Sequence, residues 1–371
     1  MPPDVIVIGI GGMGSAAAFH LAARGARVLG LERFEIPHEF GSSHGVNRII
    51  RLAYAEHPDY VPLLRRAFEL WRTLERLSGD RLLIVTGGVD AGPPDGATVT
   101  GSLRSCALHD IPHELIDAQE LRRRFPGFRL PDGMAAVCQP DAGFVLSERA
   151  IIAHVAAARA AGADVRTRER VLGWESIAGG VRVRTDRGTY EAARLVVTAG
   201  AWASTLVPGL GALAKPERQV LLWTDPIRPD RFRPDAFPVF NMETADGRFY
   251  GFPVFGVPGF KIGRYHHRHE PADPDRMDRE CHPEDETLLR EAVVHYFPDA
   301  AGPTLAMKTC LFTNSPDEHF RIDRLPDEPS VTIAAGFSGH GYKFCPVVGE
   351  ILADLTLDGG TPHDIGLFRI G

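Results

Sequence analysis

The chain has 371 residues, 44% hydrophobic and 24% charged, and its 41 Lys and Arg against 48 Asp and Glu give a formal net charge of −7. That length and apolar content suit a globular protein with a sizeable core and two domains, and with no basic stripe or tail, nucleic acid is not an expected partner. The first apolar run, Val5 to Ile8, is only a strand long and has no charged leader or cleavage site, so neither membrane association nor secretion is expected and the cytoplasm is the default.

The opening segment, DVIVIGIGGMGSAAAFHLAARGARVLGLER, reads as strand, glycine loop, helix, strand. Gly9 permits the tight turn, Gly11 lets the backbone approach a pyrophosphate, and Gly14 allows close helix–strand packing; Glu32 ends the second strand, where it would hold a ribose hydroxyl. Such a unit binds an adenine dinucleotide without deciding between FAD and NAD(P). GSSHGVNRIIRLAY then breaks periodicity, and YVPLLRRAFELWRTLERL predicts a helix with Val61, Leu64, Phe68 and Trp71 on one face, covering a sheet. Leu82 to Val89 reads as a strand, and the Pro/Gly-rich stretch near Gly92 to Gly96 as the exit from the nucleotide domain. SERAIIAHVAAARAAGA predicts a helix capped by Ser147 and ended by Gly162, with short strands after it around a Gly179-Gly180 turn. ARLVVTAGAW has the continuous apolar character of a strand buried on both faces. Arg218 to about Thr313 carries aromatics and prolines in short strand-like runs, and VTIAAGFSGHGYKF supplies a last buried strand ending in glycines. The five cysteines, Cys106, Cys138, Cys281, Cys310 and Cys345, form no CxxC or finger spacing, which speaks against a disulfide framework or a metal site.

Three separated blocks therefore build the nucleotide domain, an interleaving unusual for a nicotinamide enzyme. The motifs GIGGMG, GSSHGVNRIIRLAY, TAGAW at Thr198 to Trp202, FYGFPVFG, FKIG, the Cys310 segment ending in PDEHFRID, and GFSGHGYKF follow one another along almost the whole chain. In that order they resemble the monomeric sarcosine oxidase and N-methyltryptophan oxidase family of flavoproteins, within the glycine/D-amino-acid oxidase group. The resemblance implies an α/β fold in which an FAD-binding Rossmann-like domain (1–83, 144–214 and 316–371) is interleaved with a smaller α+β substrate domain (84–143 and 215–315). It implies FAD, not NAD, in a monomer that oxidises a secondary amine bearing a carboxylate, such as an N-methyl amino acid, with O2 as acceptor and hydrogen peroxide as product. A cyclic imino acid oxidase acting on proline- or pipecolate-like substrates is the alternative within the class. An NAD-linked dehydrogenase, or a flavin-binding protein without turnover, is the alternative outside it.

The same resemblance implies roles for individual residues. Cys310 would carry the flavin through a thioether, and Val171, Gly200, Trp202, Gly336 and Gly339 would join Gly9, Gly11, Gly14 and Glu32 around the cofactor. Arg51 and Lys343 would hold the substrate carboxylate, a task suited to a guanidinium fork and a second point charge. Arg48 and His44 would lie near the flavin, and Lys261 would promote the reaction with oxygen by stabilising developing negative charge. Tyr250 and His340 would line the substrate cavity. Phe312 stands where the sarcosine-oxidising members carry tyrosine, and Asn241 where they carry methionine, so sarcosine itself is not the expected best substrate. Either Tyr265 or His266 fills the family's histidine position. His266, His267 and His269 fit no metal motif and read as a solvated loop.

Overall fold

The computed structural model describes residues 2–370. A six-stranded sheet runs Arg321–Leu325, Glu328–Ala335, Arg194–Val197, Val5–Ile8, Val28–Leu31, Asp164–Arg166, parallel except for its first pair. Alternation divides its central strand between two cores. Val5 and Val7 pack beneath the helices Gly12–Ala23, Ser147–Ala160 and Cys345–Leu357, whereas Ile6 and Ile8 meet an antiparallel ribbon built from Val171–Ile177, Gly180–Thr185 and Thr189–Ala192. Both faces are thus covered, which is why VIVI and LVV carry no polar residue. Gly9 turns the chain at φ +85, and a Cβ on Gly14 would overlap the Gly9 carbonyl, so only glycine lets this helix sit so close to its strand.

The second sheet has eight strands, in the order Thr304–Asn314, Lys215–Thr224, Phe260–Arg264, Gly247–Phe252, Val239–Thr244, Gly88–Gly92, Ala135–Gln139 and Glu114–Asp117. One face is apolar: Val89, Ala91, Phe240, Met242, Phe249, Phe260 and Ile262 pack with Leu289 and Val293 of the helix Pro283–Tyr296. The alternate residues of the same strands, Asp90, Asn241, Arg248, Tyr250 and Lys261, therefore face the other way. A small antiparallel sheet of Asn47–Arg51, Ala142–Leu146 and Leu83–Val85 links the two large ones, and the expected boundary at 143/144 falls inside its middle strand.

Several expectations need correction. Leu82 to Val89 is two strands in two sheets, because the chain turns at Thr86 and Gly87, the latter at φ +72. The chain has consequently entered the eight-stranded sheet by Gly88, before the Pro/Gly stretch. Ser147 is the first residue of its helix, not the cap; its hydroxyl donates to Glu148, which in turn accepts the N–H groups of Gly45 and Val46. The helix Tyr60–Ser78 packs mainly on the helices Cys345–Leu357 and Ser147–Ala160, not on a sheet, and Phe68 is only partly buried at its margin. The helix Pro283–Tyr296 was not expected among strand-like runs, although Pro283 at its first position and Glu284, Asp285 and Glu286 in its first turn are ordinary start signals.

Candidate cofactor cleft and active site

A cleft runs from the glycine loop to the edge of the second sheet. Gly9, Gly11, Glu32, Val171, Gly200, Trp202, Gly336, Gly339, Arg48 and Phe312 all line it. Gly14 does not; it lies beneath, where it sets the helix against the strand. A side chain on Gly11 would meet nothing nearer than Ser43 Oγ at 3.9 Å, so the first N–H groups of the helix Gly12–Ala23 look into open space, the arrangement that receives phosphates. The Glu32 carboxylate ends the second strand, accepting the N–H of Ile10 at 2.8 Å and of Phe34 at 3.1 Å.

At the other end Cys310 is buried on the strand Thr304–Asn314, its sulfur 3.6 Å from Nη2 of Arg48. Arg48 is anchored by donating to the carbonyls of Asn47 and Ser42. His44 is buried with neither ring nitrogen partnered among the described residues, and burial together with the Arg48 charge pushes its pKa down to about 3, leaving a neutral imidazole. Lys261 is buried among the faces of Phe252 and Trp223 and donates to Gly45 O, Asn47 O and Asn47 Oδ1 at 2.6, 3.1 and 2.8 Å. Burial and Arg48 push its pKa well below 10.5, yet three oxygen acceptors call for three N–H donors, which only the ammonium supplies.

Arg51 and Lys343 meet on Tyr54: the guanidinium lies 4.8 Å from the ring centroid, and Nζ of Lys343 lies 5.2 Å from it, within 3.5 Å of the hydroxyl. Lys343 also donates to His340 O, and burial with the neighbouring Arg51 charge lowers its pKa to about 7. His340 has both nitrogens engaged, Nδ1 with the Tyr54 hydroxyl at 2.7 Å and Nε2 with Glu318 O at 2.9 Å; burial pushes its pKa down to about 4, so it is a neutral element of the wall. Tyr250 stands beside Tyr265, with ring centroids 5.1 Å apart, and Tyr265 in turn faces Phe312 at 5.9 Å. Period-two alternation from Lys261 puts Tyr265 on the face of the sheet that carries Lys261 and Tyr250.

His266 also lies near Phe312, with ring centroids 6.3 Å apart, but its ring is held between Glu217 and Glu318, whose hydrogen bonds raise its pKa to about 9. The Glu217, His266 and His269 ligand atoms lie within 4.8 Å of one another, but both ring nitrogens of His266 are already hydrogen-bonded to the Glu217 and Glu318 carboxylates. The expected solvated loop is also wrong for His267, which is fully buried against Asp285 at 2.9 Å because that carboxylate and Arg218 make a polar pocket for it.

Three charged residues of the site were not among the expected ones. Glu56 accepts from Arg51 Nη2 at 2.9 Å and from Arg248 Nη2 at 2.6 Å; burial would raise its pKa, but the two guanidiniums hold it well below the carboxylate range. Asp90 accepts from Gln139 and Asn241 and pairs with Arg51 Nε at 3.1 Å, while burial pushes its pKa up. Arg248 precedes Tyr250 by two residues, and Asp90, Asn241 and Tyr250 are register partners across three adjacent strands. Alternation on these strands was the available signal.

The chain matches the FAD dependent oxidoreductase family over residues 4–355. It belongs to that family. It is 47% identical to the monomeric sarcosine oxidase of Streptomyces avermitilis, covering 98% of this chain and 96% of the relative, and 36% identical to the N-methyl-L-tryptophan oxidase of Yersinia pestis, covering 100% and 99%. Among solved structures, NikD, described as an unusual amino acid oxidase essential for nikkomycin biosynthesis, superposes with a TM-score of 0.86 at 28% identity, covering 99% of this chain and 97% of that one. Glycine oxidase from Geobacillus kaustophilus shares the fold, with a TM-score of 0.83 at 21% identity. As a flavin-dependent oxidoreductase, the chain has donors and space that fit its cofactor: the open helix N-terminus and Glu32 suit the adenine dinucleotide end, and the unpartnered His44 ring with Arg48 suits the ring end.

Proposed function

We propose that this flavoenzyme oxidises a secondary amine that carries a carboxylate, an N-methyl amino acid larger than sarcosine, and that Cys310 holds the flavin covalently. The observation that carries the reading is the convergence of Arg51 and Lys343 on Tyr54, with Lys343 directly following Tyr342 of the cleft lining. The flavin, when bound, takes two electrons from the amine and passes them to O2, giving hydrogen peroxide. The chain's own work is positioning and charge. Arg51 and Lys343 grip the carboxylate and fix which C–H bond points along the cleft, where orientation supplies much of the rate. Their charges, with that of Arg248, disfavour the substrate's ammonium, so it enters as the free amine and no protein base is needed. Lys261 presents its ammonium where oxygen becomes negative, and Arg48 beside Cys310 supports negative charge at the ring end.

The relatives named as monomeric support a single-chain enzyme, and five unpaired cysteines suit a reducing compartment such as the cytoplasm. The two-part division of the chain at the boundaries expected from sequence belongs to the same proposal. A peroxide assay across sarcosine, larger N-methyl amino acids, proline, pipecolate and simple methylamines tests the reaction. N-methyl amino acids should lead, with sarcosine below at least one of them and amines lacking an acid far behind. Fastest turnover of an amine without a carboxylate would overturn it, and fastest turnover of proline or pipecolate would move the enzyme to cyclic imino acids.

A further inference from the structure

Arg248 is held in an unusual way for a charged residue at the heart of a site. Its Nε donates to Asn241 Oδ1 at 2.9 Å, its Nη2 donates to Glu56, and its guanidinium stacks 4.4 Å from the Tyr265 ring centroid. Asn241 is fixed in turn by Asp90, which is fixed by Gln139. The guanidinium plane is therefore set by three neighbours, Asn241, Glu56 and Tyr265, and leaves little rotamer freedom to lose on binding. Yet Nη1 has no hydrogen-bond partner among the described residues, and 25% of the side chain stays open although acid, amide and aromatic groups surround it. Arg51 is similar: Nη2 is on Glu56, Nε lies beside Asp90, and Nη1 is without a hydrogen-bond partner among the described residues. Two pinned arginines thus share one glutamate, and each keeps at least one nitrogen without a hydrogen-bond partner among the described residues.

Among the described residues Arg51, Arg248 and Lys343 face Glu56 and Asp90, and Glu318 also lies within electrostatic reach of Arg248. One substrate carboxylate answers Arg51 and Lys343 but leaves Arg248 with a donor that no protein group among the described residues uses. We propose that Arg248, oriented by Asn241 and Tyr265, is a specificity-determining residue that binds an acidic group on the substrate's side chain, so that the preferred substrates are N-methyl amino acids with a second carboxylate. This rests on the reaction proposed above for the choice of amine, but not for the binding of two acid groups. A side-chain amide in place of the acid would meet the same donors without neutralising the charge, and charge-assisted pairs to arginine are the stronger ones.

The test uses flavin-loaded enzyme and reads both binding and turnover. Binding is followed by the perturbation of flavin absorbance with succinate and with butyrate, which differ only in the second acid. Turnover is followed as peroxide release from N-methylglutamate and N-methylglutamine. Wild type should favour the diacid at least tenfold in both pairs, and Arg248→Met should reduce each ratio to near one, with Arg248→Lys in between. Equal affinities and equal kcat/KM in wild type would overturn the assignment even if no variant folds. So would an Arg248→Met enzyme that weakens on mono- and diacids alike, because Arg248 would then serve only to position Glu56 and Arg51. If none of the N-methyl amino acids is oxidised while succinate still binds at least tenfold more tightly than butyrate, the reaction reading fails and the second acid site stands.

Discussion

Lys343 carries the site's most direct pH signature. With its pKa lowered to about 7, it must be protonated to hold a carboxylate, so affinity for a carboxylate inhibitor should fall as pH rises above about 7, by up to about tenfold per unit. Spectral titration from pH 6 to 9 measures this, and Lys343→Met should flatten the dependence. The sign for stability is opposite: between pH 7 and 10.5 the unfolded chain keeps a proton that the folded site gives up, so the penalty of burying Lys343 is full below pH 7 and shrinks toward pH 10.5. Lys261 belongs to the other half-reaction. Losing one preorganised charge at a developing anion costs on the order of 3 kcal/mol, about a hundredfold in rate. Stopped-flow reoxidation of Lys261→Met should slow by about that factor, while anaerobic reduction by substrate changes far less; equal slowing of both would remove the residue from its oxygen role.

Among the elements, the strand–loop–helix unit is the one most legible in sequence, because three glycines with distinct duties can stand together in few other ways. Its sharpest check is Gly14→Ala, where the new methyl meets the Gly9 carbonyl backbone and cannot be relieved by a rotamer. Overpacking of this kind costs about 1 to 3 kcal/mol or more, so thermal melting should fall by several degrees and flavin content should drop with it. The six-stranded sheet was legible for the same reason, its buried strands being short apolar runs. The eight-stranded sheet was not. FYGFPVFG and FKIG marked Tyr250 and Lys261, yet the pattern that joins them to Asp90, Asn241 and Arg248 is lateral, and register between strands distant in sequence is not written in any one of them. Glu56 escaped for another reason: an acid beside a carboxylate-binding arginine contradicts simple complementarity, and its sense emerges only once two guanidiniums are seen to share it.

For the whole molecule, the cleft lies between two separately cored sheets, with the glycine loop on one and Cys310 on the other. A thioether at Cys310 would make the cofactor a tether between them. Wild-type enzyme should then keep its flavin through acid denaturation and show a melting temperature indifferent to added FAD. Cys310→Ala should release flavin in acid and melt higher as FAD is added, by the equivalent of about 2.7 kcal/mol at a hundredfold excess over Kd. Identical dependence on FAD in both proteins would refute the covalent link. The eight-stranded sheet has one more consequence. Its strands assign packing to one face and chemistry to the other, so exchanges at Asn241, Arg248 or Tyr265 leave the phenylalanine core beneath untouched. A lineage can therefore drift from one amine to another by point substitution while the scaffold endures. A single inserted or deleted residue in Gly247–Phe252 has no such freedom: it would turn the aromatic core outward and bury the charges, ending the fold and the catalyst together.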